Sequence, residues 1–250
     1  MGNISTLAAI VVCIAAAATA QTLPQKSGSA LPVIRADFVF DNAVRRTNDL
    51  PTSALRAARR QMISGDEMRP SDLRALADAG DGLAAYRYAQ LWQARVEPDT
   101  TGIAALYYAH AAYAGRAFAV PPLARLLIAE GANYSPARLK HCLNAMTVQA
   151  LSGNSVAATY LGQMYIDGLP FGRDLAKAQT FLALATEGGN QRAVLQLGVA
   201  LMSDPADKAT GHMAARSALM LAAAGSDLSV RVTAENLLRL IDSGSAQIQR

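Results

Sequence analysis

The stretch VAATYLGQMYIDGLPFGRDLAKAQTFLALATEGGN, Val156 to Asn190, decides the fold. In its first half Ala157, Leu161, Gly162 and Tyr165 stand at offsets 0, 4, 5 and 8. At about 100° per residue these positions fall within an arc of roughly 140°, which is one face of a helix. Gly162 leaves room for a second helix to approach closely, and Tyr165 fills the space one turn further on. Gly168 is expected to stop the helix, because glycine enters the left-handed conformation of a C-terminal cap without a Cβ penalty. The turn LPFGR follows, and the Asp174 carboxylate is placed to cap the next helix. There Ala178, Phe181 and Ala185 share a face, and Gly188-Gly189-Asn190 ends the helix and opens the next unit. Each helix is apolar on one side only. A single hairpin of this kind cannot bury its own core, so it needs neighbours.

The same pattern recurs along the chain. Ala84, Tyr88, Ala89 and Trp92 form one copy, Ala119, Leu123, Ala124 and Leu127 the next, and Ala193, Leu197, Gly198 and Leu201 follow the reference copy. The leading alanines are 35, 38 and 36 residues apart. The closing glycines, Gly80, Gly115, Gly153, Gly188 and Gly225, are spaced 35, 38, 35 and 37. Alanines match by chance in so alanine-rich a chain, but chance does not hold the glycines in phase with them. A fixed period of this length marks a repeat of one supersecondary unit.

A helix-turn-helix unit with AxxxLGxxY, a loop ending in Asp, then Lys-Ala, an aromatic residue and a terminal AxxxG resembles the Sel1-like repeat, a relative of the tetratricopeptide repeat. Leu161 to Gly168 and the series Asp174, Lys177-Ala178, Phe181 and Gly188 carry the resemblance, which extends over roughly Leu73 to Gly225. The other copies depart from it: Pro121 and Pro122 fall inside the first helix of the second copy, and Ala89 and Ala124 replace its glycine. The resemblance implies an all-α fold, a right-handed α-solenoid of stacked hairpins whose first helices line the inner surface. On that pattern Tyr86, Gln90, Arg125, Thr159, Gln163 and Val199 face the groove. It also implies a protein-binding scaffold or adaptor. Proteins it resembles act in bacterial envelope complexes, in exopolysaccharide production and as periplasmic regulators of sensor kinases.

Around the repeats the chain divides simply. Residues 1–20 carry no charged side chain, hold an apolar run from Leu7 to Ala18, and end in Ala18-Thr19-Ala20, an A-x-A cleavage pattern. They read as a secretory signal, and the run is too short for a comfortable membrane span. Residues 21–49, with Pro24, Ser27-Gly28-Ser29 and Pro32, read as a linker. Inside it VIRADFVF, Val33 to Phe40, either packs along the array as a cap or adds to a partner as an extended peptide. The segments 50–64 and 71–79 read as a divergent first hairpin, 50–80, with Thr52 or Ser53 as a cap. Repeats then cover about 81–225. A last amphipathic helix, 228–241, turns Val230, Ala234, Leu237, Leu238 and Ile241 inward and Arg231, Glu235 and Arg239 outward, and residues 243–250 are expected to fray.

Motifs for catalysis are missing: there is no GxSxG, P-loop, GxGxxG or HExxH. His110, His141 and His212 lie in different repeats, which are expected to hold them about 10 Å apart. No cofactor, metal or catalytic residue is therefore assigned, and an enzyme or carbohydrate-processing accessory is the rival reading. After the signal only Cys142 remains, either buried or an intermolecular crosslink. An exported chain nearly free of cysteine, rich in alanine and dominated by arginine suits a bacterial periplasm. The net charge is +4, and Arg45, Arg46, Arg56, Arg59 and Arg60 cluster near the start of the folded part. They form either a solvated surface or a patch for an acidic partner such as an anionic polysaccharide. Export and the absence of interleaved aromatics disfavour nucleic acid. The register makes one energetic demand: Leu161→Ala should cost roughly 2 to 5 kcal/mol in chemical unfolding. A loss well under about 1 kcal/mol would contradict the register.

Overall fold

The structure, a computed structural model, describes residues 35–36, 43–95, 100–202 and 208–248. The expected signal segment lies outside the described residues, and so does Val33 to Phe40 apart from Arg35 and Ala36. Among the described residues the chain is helical and has no strand. The helices are α1 (Ser53–Ser64), α2 (Pro70–Asp78), α3 (Gly82–Gln93), α4 (Thr100–Tyr113), α5 (Val120–Leu127), α6 (Pro136–Leu151), α7 (Ser155–Asp167), α8 (Leu175–Glu187), α9 (Gln191–Met202), α10 (Lys208–Ala223) and α11 (Leu228–Ile248). The last helix runs beyond residue 241, through most of the stretch expected to fray.

Packing is local in sequence. Each substantial contact joins a helix to the next one or the next but one: α3 to α4, α7 to α8 and α9 to α10 as close pairs, with α4 to α6, α5 to α7 and α9 to α11 linking the pairs. The repeating positions form the core of this arrangement. Ala84, Ala119, Ala157 and Ala193 are fully buried, as are Ala89, Leu123, Ala124 and Leu161. Tyr88, Leu127, Tyr165, Leu197 and Leu201 are buried too, while Trp92 is only partly so.

Small residues set how closely the pairs approach. A Cβ added to Gly162 would lie 2.5 Å from Leu182 Cγ, and one added to Gly198 would lie 2.8 Å from Leu219 Cγ. Leu182 and Leu219 are themselves fully buried. The leucine of the second helix thus occupies the notch left by the glycine of the first. Beside that notch the rings of Tyr165 and Phe181 stack, with centroids 5.8 Å apart and planes 6° from parallel.

Short junctions connect successive pairs, three residues long before α3, α7 and α9 and six before α5. Gly80, Gly115, Gly153 and Gly189 all have positive φ, between 79° and 95°. In each case the glycine N–H bonds back to the carbonyl three residues earlier, and the following N–H bonds to the carbonyl five earlier, as in Asp81 N–H to Leu76 O. These two bonds satisfy carbonyls that a helix end leaves orphaned. In the pair at 188–189 it is Gly189 that takes the left-handed conformation, not Gly188. Gly188 is needed for closeness instead, since its Cβ would lie 2.8 Å from Ser155 Cβ. After Gly80 and Gly153 the next residue caps the following helix, whereas Arg116 after Gly115 leads through a 3-10 turn, Ala117–Ala119, into α5. Asp81 Oδ1 accepts from the Leu83 and Ala84 N–H groups, and Asn154 Oδ1 accepts from Val156 and Ala157.

Other sequence features fall where their chemistry allows. Gly168 ends α7 with φ 80°, and Asp174 caps α8 by accepting from the Lys177 N–H. Thr52 rather than Ser53 caps α1. Pro121 and Pro122 do not interrupt a helix, because α5 begins at Val120 and the prolines occupy its first turn, where their missing N–H has no helical acceptor.

The expected linker ends earlier than Asp49. Val44 is buried and its N–H donates to Gly80 O at 3.1 Å, and Leu50 is in the core. Arg59 holds this strap: its guanidinium donates to Thr47 Oγ1 at 2.8 Å and, through Nε, to Asp81 Oδ2 at 2.6 Å. Both partners of that ion pair are buried. Removing one side of a buried pair strands the other charge, which costs about 3 to 5 kcal/mol. Asp81→Asn keeps a capping oxygen but strands Arg59, so it should lose stability in that range. Asn154→Ala, which removes only a cap, should lose about 1 kcal/mol. Equal losses in urea unfolding would show that the Arg59 pair contributes nothing beyond the cap.

Candidate functional site

The six residues expected to face the groove are not equivalent. Gln90, Arg125 and Val199 are exposed. Gln163 is partly exposed, and its amide donates to Asp167 Oδ1 at 2.8 Å along its own helix. Arg125 Nε donates to Pro121 O one turn back, at 3.3 Å.

Two of the six serve packing instead. Thr159 donates to Ser155 O and accepts from Asn190 Nδ2, both at 2.7 Å, so it ties α7 to the start of α9. Tyr86 lies edge-on to Phe118, with centroids 4.7 Å apart, and to Tyr108 at 5.5 Å. These rings join α3, α4 and the turn before α5. A side chain at a groove-facing position is free only where no neighbouring element meets it, which helical spacing alone does not reveal.

One groove residue does line a concavity. Gln90 borders a cleft of about 480 Å³ with Asp66, Met68, Leu73, Arg87, Leu91 and Ala94. The cleft lies between α3 and the turn after α1, and Arg87 secures it by donating to Met62 O at 2.9 Å. Its floor is apolar and its rim carries one acid, one base and one amide. Sequence reasoning had not singled out Asp66, Met68 or Arg87. Their only signal was a turn next to Gln90, visible once Gly65, with φ 87°, closes α1.

The arginine cluster is smaller than its sequence suggests. Arg59 is committed to Asp81, while Arg45, Arg46 and Arg60 are exposed and Arg56 is partly so. Arg45 and Arg46 also direct their backbone N–H groups at the Asp49 carboxylate, which holds it below its ordinary pKa.

The histidines required a correction. His110 on α4 and His141 on α6 are neighbours, with ring centroids 5.3 Å apart rather than a helix spacing apart. Tyr107 stands 5.4 Å from His110, and Tyr113 stands 5.0 Å from His141. Burial first, and then the facing His141, lower His110 to about 4. Next to this cluster Cys142 is fully buried, and burial pushes its thiol up to about 12. A thiol so far from its thiolate is a poor nucleophile. Among the described residues no group of three or more His, Cys, Asp or Glu is placed to hold a metal ion. No described helix is long and apolar enough to cross a membrane.

Compared with protein-family models and with curated proteins, the chain matches none.

Proposed function

We propose that this chain is an exported binding protein, a right-handed α-solenoid of Sel1-like hairpins that holds a protein partner in the bacterial envelope. The first helices α3, α5, α7 and α9 would present the inner face. The single observation that carries the reading is the recurrence of one junction, a left-handed glycine with its paired backbone bonds, at Gly80, Gly115, Gly153 and Gly189. Four such junctions of like geometry support a stack of like units, and stacks of this kind present long continuous surfaces suited to macromolecules.

The exposed groove residues support a peptide or protein ligand over a charged small molecule. Gln90, Val199 and the partly exposed Gln163 are uncharged, and Arg125 is the one charge among these four. Export rests on the reading of residues 1–20, and the exposed arginines near α1 suit an acidic partner or an anionic polysaccharide as a secondary contact. The enzymatic rival needs a convergent set of acid, base and nucleophile. The most perturbed groups, His110 and Cys142, are instead held neutral in a packed seam.

The reading is tested by photo-crosslinking in the native envelope from a probe at Gln163, with a matched probe at the exposed Arg239 of α11, followed by mass spectrometry. A discrete protein captured from Gln163 and not from Arg239 is expected. Capture from Arg239 alone, or from neither, would contradict binding through the inner face.

A further inference from the structure

The seam between α4 and α6 contains a feature that packing alone does not require. His110 stands five residues before the junction glycine Gly115. The residues five before Gly153 and Gly189 are Val148 and Leu184, both partly buried aliphatics. At this one seam the chain places an imidazole there, and a second imidazole, His141, faces it from the neighbouring helix at 5.3 Å. Tyrosine rings close the pair on either side.

We propose that the α4–α6 seam is an acid-sensitive joint, in which protonation of His110 and His141 drives the two helices apart. This goes beyond the binding reading and does not depend on which partner is held. The physical reason is the scarcity of compensation for positive charge. His141 Nε2 is buried without a hydrogen-bond partner. The Asp78 carboxylate of α2, which acts on His110, already accepts from Tyr107 Oη at 2.8 Å and pairs with Arg74 at 3.5 Å. Arg138 of α6 adds a positive charge that disfavours protonation of both rings, and it is held in place by donating to Gly102 O at 2.8 Å. Tyr107 stays neutral, raised to about 12 by burial. Two imidazolium rings facing each other in this setting would meet each other and the positive charge of Arg138.

The direction with pH follows. The folded seam favours neutral His110, whose pKa is lowered from 6.5 to about 4. Closure is therefore complete above the ordinary value and is lost progressively as pH falls from there toward about 4. At about pH 4.5, His110 alone shifts the balance toward the open seam by about 60-fold relative to pH 7.

Cys142 reports on this opening, because it is fully buried in the same seam with Sγ 3.8 Å from Ala105 O. The test is labelling of the full chain with a pyridyl disulfide, which stays reactive in acid, with the product mapped to Cys142 by mass spectrometry. Dividing by the rate for denatured protein at the same pH removes the intrinsic pH dependence of the thiol. Protection should fall by about 70-fold or more between about pH 7.5 and 4.5 in the wild type, and by clearly less in His110→Gln. Unchanged protection in the wild type would overturn the proposal. So would an equal fall in the wild type, His110→Gln and His141→Gln, which would assign the opening to carboxylates. Should the glutamine variants fail to fold, histidine ring resonances of the wild type decide: titration of His110 below about pH 5 supports the joint, and titration near the ordinary 6.5 overturns it.

Discussion

Helices that are apolar on one side only have to find each other's faces, and how closely they approach is set by what stands at the contact. In this chain the contact is a notch. Gly162 and Gly198 lack a Cβ, and Leu182 and Leu219 occupy the space where one would be, at 2.5 and 2.7 Å at their nearest. Backbone and leucine in direct contact bring the paired helices close enough for Tyr165 and Phe181 to stack beside them. Ala157 and Ala193, about one turn before these glycines, are fully buried on the same side of α7 and α9. The last helix breaks the pattern in an informative way. Glu235 follows Ala234 just as Gly162 follows Leu161, and it is exposed. A long charged side chain at the notch position leaves no seat for another leucine there.

The second constraint lies in the junctions. Each hairpin must reverse direction without leaving buried backbone groups unsatisfied. At Gly80 and Gly153 a glycine in the left-handed region followed by an Asx cap does this, serving both the helix that ends and the helix that begins. Asp81 has a further role. One carboxylate oxygen caps α3 while the other holds Arg59, and Arg59 in turn fastens the strap from Val44 to Leu50. The start of the folded part thus hangs on a residue that also caps a helix.

Much of this was legible in the amino-acid sequence because it depends on neighbours within one helix or one turn. The notch at Gly162, the stop at Gly168 and the cap at Asp174 all follow from spacing and from the chemistry of single residues. What spacing could not supply is contact between elements. Thr159 reads as an open groove position, but Asn190 reaches across from the next unit to bond it. Arg59 reads as one member of a basic cluster, but the fold brings Asp81, 22 residues later, to its guanidinium. His110 and His141 were expected to be a helix spacing apart. That distance applies to helix axes, and two side chains that point into the same seam meet well inside it. The cleft at Gln90 was legible only on the side supplied by α3, since its other wall is a turn with no periodicity to read.

The notch is tested most directly by a double-mutant cycle of Gly162→Ala with Leu182→Ala, followed by urea unfolding. Overpacking by one methyl against a rigid neighbour costs about 1 to 3 kcal/mol, and truncating a fully buried leucine costs about 2 to 5 kcal/mol. If the two side chains compete for one space, the methyl at 162 fits once Leu182 is gone. The double variant should then lose at least about 1 kcal/mol less than the two single losses combined. Losses that add within about 0.5 kcal/mol would mean that Gly162 and Leu182 do not meet, and that the pairing of α7 with α8 described here is wrong.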